Sequence, residues 1–439
     1  MRDRAAGTLL TSAPAAYARP PWGHQRTTTP LGIALLCAAL AHALGISSLA
    51  YPQTIAPNTV PVGTKLYVRL EVPVGTKSSH LDQAVTSRVV REVTGPQGVL
   101  VPLGAEVTGK IEKLIPSSDP ADHARVFVRF TQLTIPGYSA IPLVAHLTEV
   151  ENARETVLPD GTIQGILQKD VPVGRVDGML DKLGSTGSEM EKMGGRTFGR
   201  LDTSIDYPAG TDLDLTLDQA LAVNSTLPPS AARQISPALA GAVQKVLADA
   251  PNRCESKSKK PGDPLNLVII GTSDQILNSF ARAGWIEPKK LDRKTAMGTV
   301  RAVSSDQAYG EAPVSDLYLY GHMEDLAFAK MLNTFLKRHH LRLWRTTATT
   351  PEGRPIWLGA TTHDTGLDVH VGVVSHAIDP RLDLEREKVG ADLLAGGTVS
   401  AEQLVTRPNP LSEGKTATGA TWKTDGMMLV IDLKTSSNQ

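Results

Sequence analysis

A segment that occurs twice constrains the fold of this chain more than any other feature. Residues from Pro61 read PVGTKLYVRL, and residues from Pro208 read PAGTDLDLTL. In both copies a Pro-x-Gly turn precedes a segment whose Leu and Val residues alternate with polar residues, which is the period of a half-buried strand. Further short alternating segments, separated by Pro and Gly, lie between the copies. Many short strands joined by such turns predict an all-β barrel or sandwich over residues 58–223.

A glycine-rich stretch at residues 165–199 interrupts this module. Its glycines lie among Lys, Glu and Met residues, and no Gly-Lys-Ser/Thr order follows a strand. A phosphate-binding loop needs that order, because its backbone and its lysine hold the phosphates. We therefore expect an insertion that is mobile or weakly helical rather than a nucleotide site.

The first 50 residues predict export. A stretch with four arginines is followed by the segment Leu31–Ala50, which contains no Lys, Arg, Asp or Glu. Ser48 and Ala50 supply the small residues that a signal peptidase prefers at the end of such an apolar segment. At this length, residues 1–50 contain either a cleaved signal peptide or an uncleaved membrane anchor. We expect a protein that is periplasmic or anchored with its folded part outside the cytoplasm.

Charge and cysteine content exclude several classes of protein. The chain has 45 Lys and Arg residues against 45 Asp and Glu residues. This balance argues against a nucleic-acid partner, because a general nucleic-acid binder needs a basic face. The two cysteines, Cys37 and Cys254, cannot form a disulfide framework or a four-ligand zinc cluster. If cleavage follows Ala50, Cys254 is the only thiol left, so we expect no internal disulfide.

Residues 224–262 have the composition of a linker. They contain two consecutive prolines and a later run of Lys, Ser, Pro and Gly, and Cys254 lies among polar residues there. Ser236 precedes a proline, an order that places an N-cap before the first helical turn. We therefore expect a short helix over residues 237–250 within an otherwise irregular linker.

The composition of the sequence changes at residue 263, where apolar runs replace the linker residues. The apolar run Leu265–Gly271 predicts a strand covered on both faces, and Thr272 or Ser273 predicts the cap of a helix that ends near Gly284. These elements alternate along residues 263–433 and predict an α/β domain with a mixed sheet, so the whole chain is expected to be α+β. The further predicted elements are strand Leu317–Tyr320, helix Glu324–Leu336, strands His340–Arg345, Ile356–Ala360 and Gly366–Val374, and helix Pro380–Leu394, followed by a tail at 434–439.

Several stretches of this second domain resemble one family in sequential order. They include PLNLVIIGTSDQILNSFARAGW, APVSDLYLYGHMEDLAFAK, RHHLRLWRT, GRPIWLGATTHDTGLDV, SHAIDPRLDLEREKVGADLLAGG and TDGMMLVIDL. Over about 263–433 the chain therefore resembles the LssY C-terminal domain family. In relatives this domain is often joined to membrane segments of the DedA or phosphatidate-phosphatase type, so the resemblance implies work at a membrane or envelope.

The β module has a resemblance of its own. Its Pro-x-Gly-Thr turns are followed by an amphipathic strand and by the hairpin sequence VLVPLGAEVTGKI at residues 99–111. This order is similar to that of the TrbI-like β modules of bacterial envelope proteins. The resemblance implies a scaffold or assembly role for residues 58–223.

Histidine is concentrated in the second domain. Six of the nine histidines that follow the leader lie between His322 and His376. On the strand at His340 the period of two places Leu341 and Leu343 on one face, opposite a polar face. That polar face carries Arg338, His340, Arg342 and Trp344, and the polar face of the next strand carries Asp364, Asp368, His370 and, by extension, His376. We expect His340 or Arg342 to pair with Asp368 where the polar faces meet.

Three interpretations of these polar faces remain open. The first is a buried network of ion pairs and hydrogen bonds that orients the strands. The second is an anion or phosphate site, because arginine offers the planar double donor that phosphate needs. Substrate would be bound by Arg338, Arg342, Arg345 and Trp344, with His340, His376, Asp379 or Asp364 as acid or base.

The third interpretation is a divalent-metal site. Carboxylate and neutral imidazole are suitable ligands, and the candidates are Asp368, His370 and His376. No His-Glu-x-x-His motif supports them. No other cofactor is expected.

The sequence after His376 predicts how the last helix begins. Asp379 precedes Pro380, an order in which the carboxylate caps the helix. A helix N-terminus also lowers the pKa of a nearby histidine, which would keep His376 neutral. The charged residues that follow, with Arg381 and Glu385 at i and i+4, predict a solvated helix face.

These features favour an exported bacterial envelope protein that works mainly by binding or assembly. The alternative is a hydrolase of a phosphorylated lipid or envelope metabolite that uses the second domain. The expected partner is an envelope or membrane-associated component or an anionic lipid. A basic patch of Lys257, Lys259 and Lys260 would either contact such a lipid or stay solvated.

Overall fold

The computed structural model describes eight ranges of the chain: 58–117, 122–167, 202–223, 234–288, 316–334, 336–370, 373–416 and 419–435. Within residues 367–370 and 373–376 the description covers the backbone alone. The predicted leader, nearly all of the glycine-rich insertion and most of the tail lie outside the described residues. Across the eight ranges, none of the helices combines the length and the hydropathy that crossing a bilayer requires.

Strands account for all of the regular structure described between residues 58 and 223. They are β1 Thr59–Val60, β2 Lys65–Leu70, β3 Val74–Gly75, β4 Ala84–Val89, β5 Val93–Gly95, β6 Gly98–Val101, β7 Glu106–Ile115, β8 Arg125–Thr134, β9 Ile141–Val150, β10 Thr156–Val157, β11 Ile163–Gln164, β12 Asp206–Tyr207, β13 Asp212–Leu217 and β14 Leu221–Ala222.

Six of these strands close into a barrel. The order is β8-β7-β4-β2-β13-β9, and β9 pairs with β8 again to complete the circle. Closure leaves the barrel without a free edge, and the alternating residues of each strand fill its interior. The core contains Leu66, Val68, Phe130, Leu147 and Leu215, all buried. The prediction of an all-β module is therefore confirmed, and of its two alternatives the barrel is observed.

The two copies of the repeated segment lie side by side in this barrel. Strands β2 and β13 pair in antiparallel order, with Leu66 opposite Leu215. The Pro-x-Gly-Thr turn of each copy closes the end of the other copy's strand: Gly63 N donates to Leu217 O at 2.9 Å, and Gly210 N donates to Leu70 O at 2.7 Å. Both glycines have positive φ, which glycine adopts without a steric penalty. The repeat thus builds a locally two-fold unit at the centre of the barrel.

The C-terminal domain, taken from α1 to β27, combines thirteen strands with three helices among the described residues. The helices are α1 Pro237–Asp249, α2 Ser273–Arg282 and α3 Leu382–Ala395, and the strands are β15 Arg253–Ser256, β16 Pro261–Pro264, β17 Leu267–Ile270, β18 Leu317–Leu319, β19 His322–Met323, β20 Leu326–Met331, β21 Arg338–Thr349, β22 Pro355–His370, β23 Val373–Ile378, β24 Val399–Val405, β25 Glu413–Lys415, β26 Thr421–Lys423 and β27 Met428–Leu433.

A mixed sheet forms the centre of this domain. Its order is β20-β21-β22-β17-β27-β24, with β23 on β22, and the pair β17–β27 is parallel while the other neighbours are antiparallel. Strand β17 is covered on both faces, as predicted. Val268 and Ile270 pack with α1, whereas Leu267 and Ile269 pack with α2 and α3. The chain is α+β with a C-terminal mixed sheet, in agreement with the sequence.

One predicted helix is wrong. Residues 324–336 show a helical spacing of apolar residues, yet Leu326–Met331 form the strand β20, which pairs with β21 from Leu326 opposite Leu343 to Met331 opposite Arg338. The long strand β21 offers a complete row of hydrogen-bonding groups, and pairing with it overrides the local helical preference. This difference carries Lys330 onto a strand, where its side chain reaches the barrel.

Part of the expected linker is folded. The short helix is found at Pro237–Asp249 with Ser236 Oγ accepting from Leu239 N, as predicted. Strands β15 and β16, however, form a hairpin that pairs with β18, and Cys254 on β15 is fully buried in the core under α1. Burial raises the pKa of the Cys254 thiol above its ordinary value. Cys254 is therefore a core residue and not a linker residue, because its small apolar side chain fills space beneath the helix.

Candidate functional site

A buried cluster of charged side chains joins the barrel to the C-terminal domain. We call it the interdomain charge cluster. It comprises Arg69 of β2, Glu151 after β9 and Asp212 of β13 from the barrel, and Lys330 of β20 together with Lys388 and Asp392 of α3 from the C-terminal domain. Each of these elements is held by its own core, so the cluster forms where two independently packed surfaces meet.

Two carboxylates at the centre of the cluster share three cations. Asp212 accepts from Arg69 Nε at 2.6 Å, from Lys330 Nζ at 2.6 Å and from Lys388 Nζ at 2.9 Å. Asp392 accepts from the same three side chains, at 3.0, 3.0 and 2.8 Å. Each cation thus bridges a carboxylate of the barrel and a carboxylate of α3. The arrangement ties the two domains together through every one of its members.

The surroundings keep these groups charged. Burial alone would raise the pKa of Asp212, but Lys388, Lys330 and Arg69 outweigh it and hold that pKa well below the ordinary value. Burial would likewise lower the pKa of Lys388, yet Asp212, Asp392 and Glu151 raise it well above the usual range. The pKa of Asp392 is also lowered, because Lys388 and Lys330 outweigh its burial. Asp212, Asp392 and Lys388 are therefore ionised at neutral pH.

Helix α3 does not have the solvated charged face that the sequence predicts. Glu385, Arg386 and Lys388 are all buried, and Arg386 is 0 % exposed. The guanidinium of Arg386 donates to Asp425 Oδ1 at 2.7 Å and Oδ2 at 2.9 Å, so its partner comes from the loop before β27. Arg381 pairs with the nearby Asp379 and Glu385 pairs with His339, so the two residues do not pair with each other. The sequence shows the charges of the helix but not the surfaces that cover them.

Two stacked histidines lie beside the cluster. The rings of His339 on β21 and His363 on β22 have centroids 4.2 Å apart. His339 Nδ1 donates to Glu385 Oε2 at 2.7 Å, and His339 Nε2 lies 3.2 Å from Glu151 Oε1. His363 Nε2 lies 2.9 Å from Oδ1 of Asn152, which follows β9 of the barrel. The pair therefore contacts the barrel at two points.

The two histidines have strongly different acidities. Burial would lower the pKa of His339, but Glu385 and Glu151 outweigh it and raise the pKa to about 10. Burial and the neighbouring positive charge of His339 lower the pKa of His363 to about 3. At neutral pH one ring is thus an imidazolium and the other a neutral imidazole. One donor atom each from His339, His363 and Glu385 lie within 4.8 Å of one another, a spacing that could hold a metal ion.

Further polar contacts connect the loop after β9 to the C-terminal domain. Arg154 N donates to Asn333 Oδ1 at 2.9 Å, and Asn333 Nδ2 donates to Glu155 Oε2 at 2.6 Å. Lys337 Nζ donates to the carbonyl oxygen of Ala153 at 2.9 Å. This loop therefore contacts the C-terminal domain along its whole length from residue 151 to 155.

The predicted polar face of β21 is observed. Trp344 packs in the core that lies under α1, whereas Leu341 and Leu343 pack in the opposite core, so the strand is sorted as the period of two requires. Arg338 Nε donates to Asp364 Oδ2 at 3.1 Å, and His340 Nε2 bonds to Asp364 Oδ1 at 3.0 Å. The carboxylate that pairs with His340 is thus Asp364, where the sequence predicts Asp368.

The predicted substrate-binding residues lie in different environments. Arg338, His340 and Arg342 are buried, and Arg342 Nη1 lies 3.6 Å from Asp263 Oδ2. Trp344 is 0 % exposed within the core, and Arg345 is exposed on the surface. Three of the four predicted binding residues, Arg338, Arg342 and Trp344, are thus buried, and Arg345 alone is exposed. The choice among the three interpretations stays a prediction.

The predicted residues of the following strands are only partly described. The side chains of Asp368, His370 and His376 lie outside the described residues, so their roles as metal ligands or catalytic groups stay predictions. Their backbones pair in β22 and β23, with Asp368 opposite Ser375.

Asp379 does not cap helix α3. The helix begins at Leu382, and its N-cap residue makes no side-chain capping bond. Instead, Asp379 Oδ1 accepts from Arg381 N at 2.8 Å, and Asp379 Oδ2 accepts from Arg381 Nη2 at 2.9 Å. Burial would raise the pKa of Asp379, but these bonds to Arg381 lower it. The helix begins later than predicted because this local turn satisfies the carboxylate first.

Sequence reasoning missed most members of the observed site. The missed residues are Arg69, Glu151, Asp212, Lys330, His339, His363, Lys388 and Asp392. The adjacent pair His339-His340 and the i, i+4 pair of Lys388 and Asp392 were visible signals, since a strand sends neighbouring side chains to opposite faces. The other partners come from the barrel, and no local pattern connects them.

The fold and the site define an α+β protein whose closed barrel is joined by buried ion pairs to a mixed sheet between helices. The sequence profile of the family described as LssY C-terminus matches residues 247–428. The C-terminal domain is thus an LssY-like domain, as predicted. The match covers 247–428 where the prediction gave about 263–433, so it adds the end of α1 and the strands β15 and β16.

Other comparisons add little. A comparison with curated proteins finds no match. Among solved structures, ComB10 of the Com type IV secretion system of Helicobacter pylori is 12% identical, with a TM-score of 0.21, over 37% of this chain and 88% of that chain. At this score the likeness carries no argument, so the TrbI-like resemblance of the barrel stays a prediction.

Proposed function

We propose that this chain is an exported, envelope-associated protein that works by binding or assembly, with its barrel and its LssY-like domain acting together as one scaffold. The observation that carries the proposal is the interdomain charge cluster. In it, Arg69, Lys330 and Lys388 each bridge Asp212 of the barrel and Asp392 of α3. A cation that is held between two protein carboxylates positions structure and has little capacity left for a substrate.

The candidate catalytic residues support the same proposal. His340 is buried and bonded to Asp364, and Asp379 is bonded to Arg381. A general base must reach the proton that it removes, and a buried partnered side chain has to break its contacts first. The basic and polar residues of the described site therefore serve the fold. The proposed partner is an envelope or membrane-associated component or an anionic lipid.

Cell fractionation tests the export and envelope part of the proposal. The full chain, carrying a C-terminal epitope, would be expressed in a bacterium and located by immunoblotting of cytoplasmic, periplasmic and membrane fractions. We expect it in the periplasmic or membrane fraction. A matched variant with Leu35→Arg and Leu36→Arg interrupts the apolar segment and is expected to remain in the cytoplasm. Wild-type protein in the cytoplasm with an intact N-terminus would contradict the proposal.

An activity screen separates the scaffold from the hydrolase. The purified full chain would be incubated with phosphomonoesters and phospholipids, with and without divalent metals, beside His376→Ala and the surface variant His322→Ala. We expect no turnover by any of the three proteins. Turnover that His376→Ala abolishes and His322→Ala preserves would establish the hydrolase. Turnover that both variants preserve would also contradict the scaffold and would place the chemistry at other residues.

A further inference from the structure

We propose that His339, His363 and Glu385 form a zinc-type metal site at the boundary between the barrel and the LssY-like domain. These residues come from β21, β22 and α3, and one donor atom from each lies within 4.8 Å of the other two. Two imidazoles and one carboxylate are a ligand set that zinc accepts in sites with an open fourth position. The set differs from the predicted ligands Asp368, His370 and His376.

The spacing of the donors suits a small divalent ion. Ligand atoms about 2.1 Å from a tetrahedral zinc lie about 3.4 Å from one another. His339 Nδ1 and Glu385 Oε2 are 2.7 Å apart, and the widest separation in the set is within 4.8 Å. Displacements of about one ångström at the ends of these side chains would close the remaining separations. Because the two rings lie stacked, one imidazole would also turn out of the stack to direct its lone pair at the ion.

The tautomer of His363 is set by the barrel. Asn152 Nδ2 donates to the carbonyl oxygen of Lys330 at 3.3 Å, which orients the amide so that Oδ1 faces His363 Nε2 at 2.9 Å. An amide oxygen can only accept, so Nε2 carries the proton and Nδ1 keeps its lone pair. Asn152 has a φ of 57°, a conformation that asparagine adopts more readily than most residues. The barrel thus prepares His363 to ligate through Nδ1.

Glu151 of the barrel gives His339 the matching support. His339 Nε2 lies 3.2 Å from Glu151 Oε1, so Nδ1 is the nitrogen that can ligate beside Glu385. The ion would displace the Nδ1 proton of this imidazolium to solvent, while Nε2 keeps its proton toward Glu151. Metal-bound histidines commonly direct their second nitrogen to a carboxylate or a carbonyl oxygen, and such outer partners tune affinity. Here both outer partners, Glu151 and Asn152, come from one loop of the barrel.

A buried atom without a partner points to the same place. Glu385 is 4 % exposed, and its Oε1 makes no hydrogen bond within the described part of the chain. An unsatisfied buried carboxylate oxygen is costly, and a cation that both oxygens of Glu385 can approach would satisfy it. His339 and Glu385 belong to the C-terminal domain, whereas Glu151 and Asn152 belong to the barrel. Metal binding would therefore also strengthen the contact between the two domains.

Metal titration of the full chain tests the site. The purified protein would be stripped with a chelator, loaded with Zn²⁺, passed through gel filtration and analysed for bound zinc by mass spectrometry. We expect one Zn²⁺ per chain in the wild type and in the surface control His322→Gln. His363→Gln and Glu385→Gln should lose this ion, and Asn152→Ala should bind it about 10- to 100-fold more weakly.

A second measurement does not depend on the variants. Addition of Co²⁺ to the stripped wild-type chain should produce the visible d–d absorption of a four-coordinate site, saturating at one equivalent and reversed by Zn²⁺. Failure of the wild type to bind Zn²⁺ or Co²⁺ stoichiometrically would overturn the proposal. So would retention of the ion by His363→Gln and Glu385→Gln variants that circular dichroism shows to be folded.

Discussion

Two buried polar clusters of this molecule differ in where their partners come from. In the network on β21, Arg338 and His340 are served by Asp364 of the neighbouring strand. In the interdomain charge cluster, Asp212 of the barrel is served by Lys330 and Lys388 of the C-terminal domain. The first cluster orients two strands that already pair through their backbones. The second supplies contacts between domains that have separate cores, so its loss should affect how the two parts hold together.

The largest expected effect follows from Asp212→Asn. This change removes one of the two central carboxylates and leaves the buried Lys330 and Lys388 and the half-buried Arg69 around Asp392. Breaking a buried ion pair typically costs about 3–5 kcal/mol. We expect such a loss in the free energy of unfolding by denaturant titration. The barrel and the C-terminal domain should then unfold in separate transitions.

The matched control is Asp214→Asn on the same strand. Asp214 pairs with Lys65 at 2.9 Å, and Lys65 is largely exposed, so this pair resembles a surface salt bridge. Its loss should cost about 1 kcal/mol or less. Equal losses for the two variants would remove the distinction between the buried cluster and the surface.

A smaller loss is expected from Asp364→Asn. The change removes the negative charge opposite Arg338 and His340 but keeps a polar side chain of the same shape, and hydrogen bonds to charged groups contribute about 1.5–3 kcal/mol. The barrel should keep its contacts with the C-terminal domain, so denaturation should show a single shifted transition. Separate transitions for this variant would show that the two clusters do not divide the work in this way.

The same contrast explains how far the sequence could go. The polar face of β21, with Arg338 and His340, follows from the strand period of two. Asp364 lies on the polar face of the next strand, so a carboxylate partner on that strand was also predictable. His339 was overlooked because it lies on the face of Leu341 and Leu343, which predicts core. Asp212 and Lys388 are both ordinary polar positions of a strand and a helix. Only the docking of two domains makes partners of them.

The fold shows a similar limit. The repeated Pro-x-Gly-Thr segments predicted strands, because turn chemistry and alternation are local, and their reciprocal pairing in β2 and β13 needed only barrel closure. The prediction for residues 326–331 was wrong because their apolar spacing suits a helix, whereas β21 offers an open edge with which they pair as a strand. The prediction that Cys254 lies in a linker was wrong because its burial depends on helix α1, which covers it. Local signals thus identify elements, and the partners of each element decide its environment.

Acid should weaken the interdomain charge cluster. The pKa values of Asp212 and Asp392 are lowered in the folded protein, although burial opposes this, because Lys388, Lys330 and Arg69 surround both groups. A carboxyl with a lowered folded pKa stabilises the protein fully above its unfolded pKa, near 4, and loses that contribution as the pH falls further.

The expected dependence of the unfolding free energy on pH can be measured directly. Each such carboxyl should remove about 1.4 kcal/mol of stability per pH unit below about pH 4. Denaturant unfolding measured from pH 6 down to pH 2 should therefore show a decline that begins near pH 4. Asp212→Asn lacks one of the two groups and should decline less steeply. Asp214→Asn should decline at least as steeply as the wild type, because burial raises the pKa of Asp214 in the folded protein. An identical slope in Asp212→Asn would show that this carboxylate is not the one that acid titrates.

Replacing three exposed lysines should have the smallest effect on stability. Unlike the buried clusters, these lysines are expected to affect lipid binding more than folding. Lys257, Lys259 and Lys260 lie at the exposed turn of the β15–β16 hairpin, where Lys259 pairs with Glu255 at 3.2 Å. Replacing all three with Gln should change the free energy of unfolding by less than about 1 kcal/mol, because exposed ion pairs contribute little. If this turn contacts anionic lipid, each lysine near the surface should contribute about 1 kcal/mol to binding.

Liposome sedimentation measures that contribution directly. Wild-type chain should pellet with vesicles that contain anionic lipid, less so as salt rises, because screening acts over about 8 Å at physiological ionic strength. The triple Gln variant should stay in the supernatant while Asp212→Asn, whose change is buried, should pellet like the wild type when folded. Equal pelleting of the wild type and the triple variant would show that the turn is merely solvated. The interdomain charge cluster would then contribute to stability alone, and the partner-binding surface would have to lie elsewhere on the molecule.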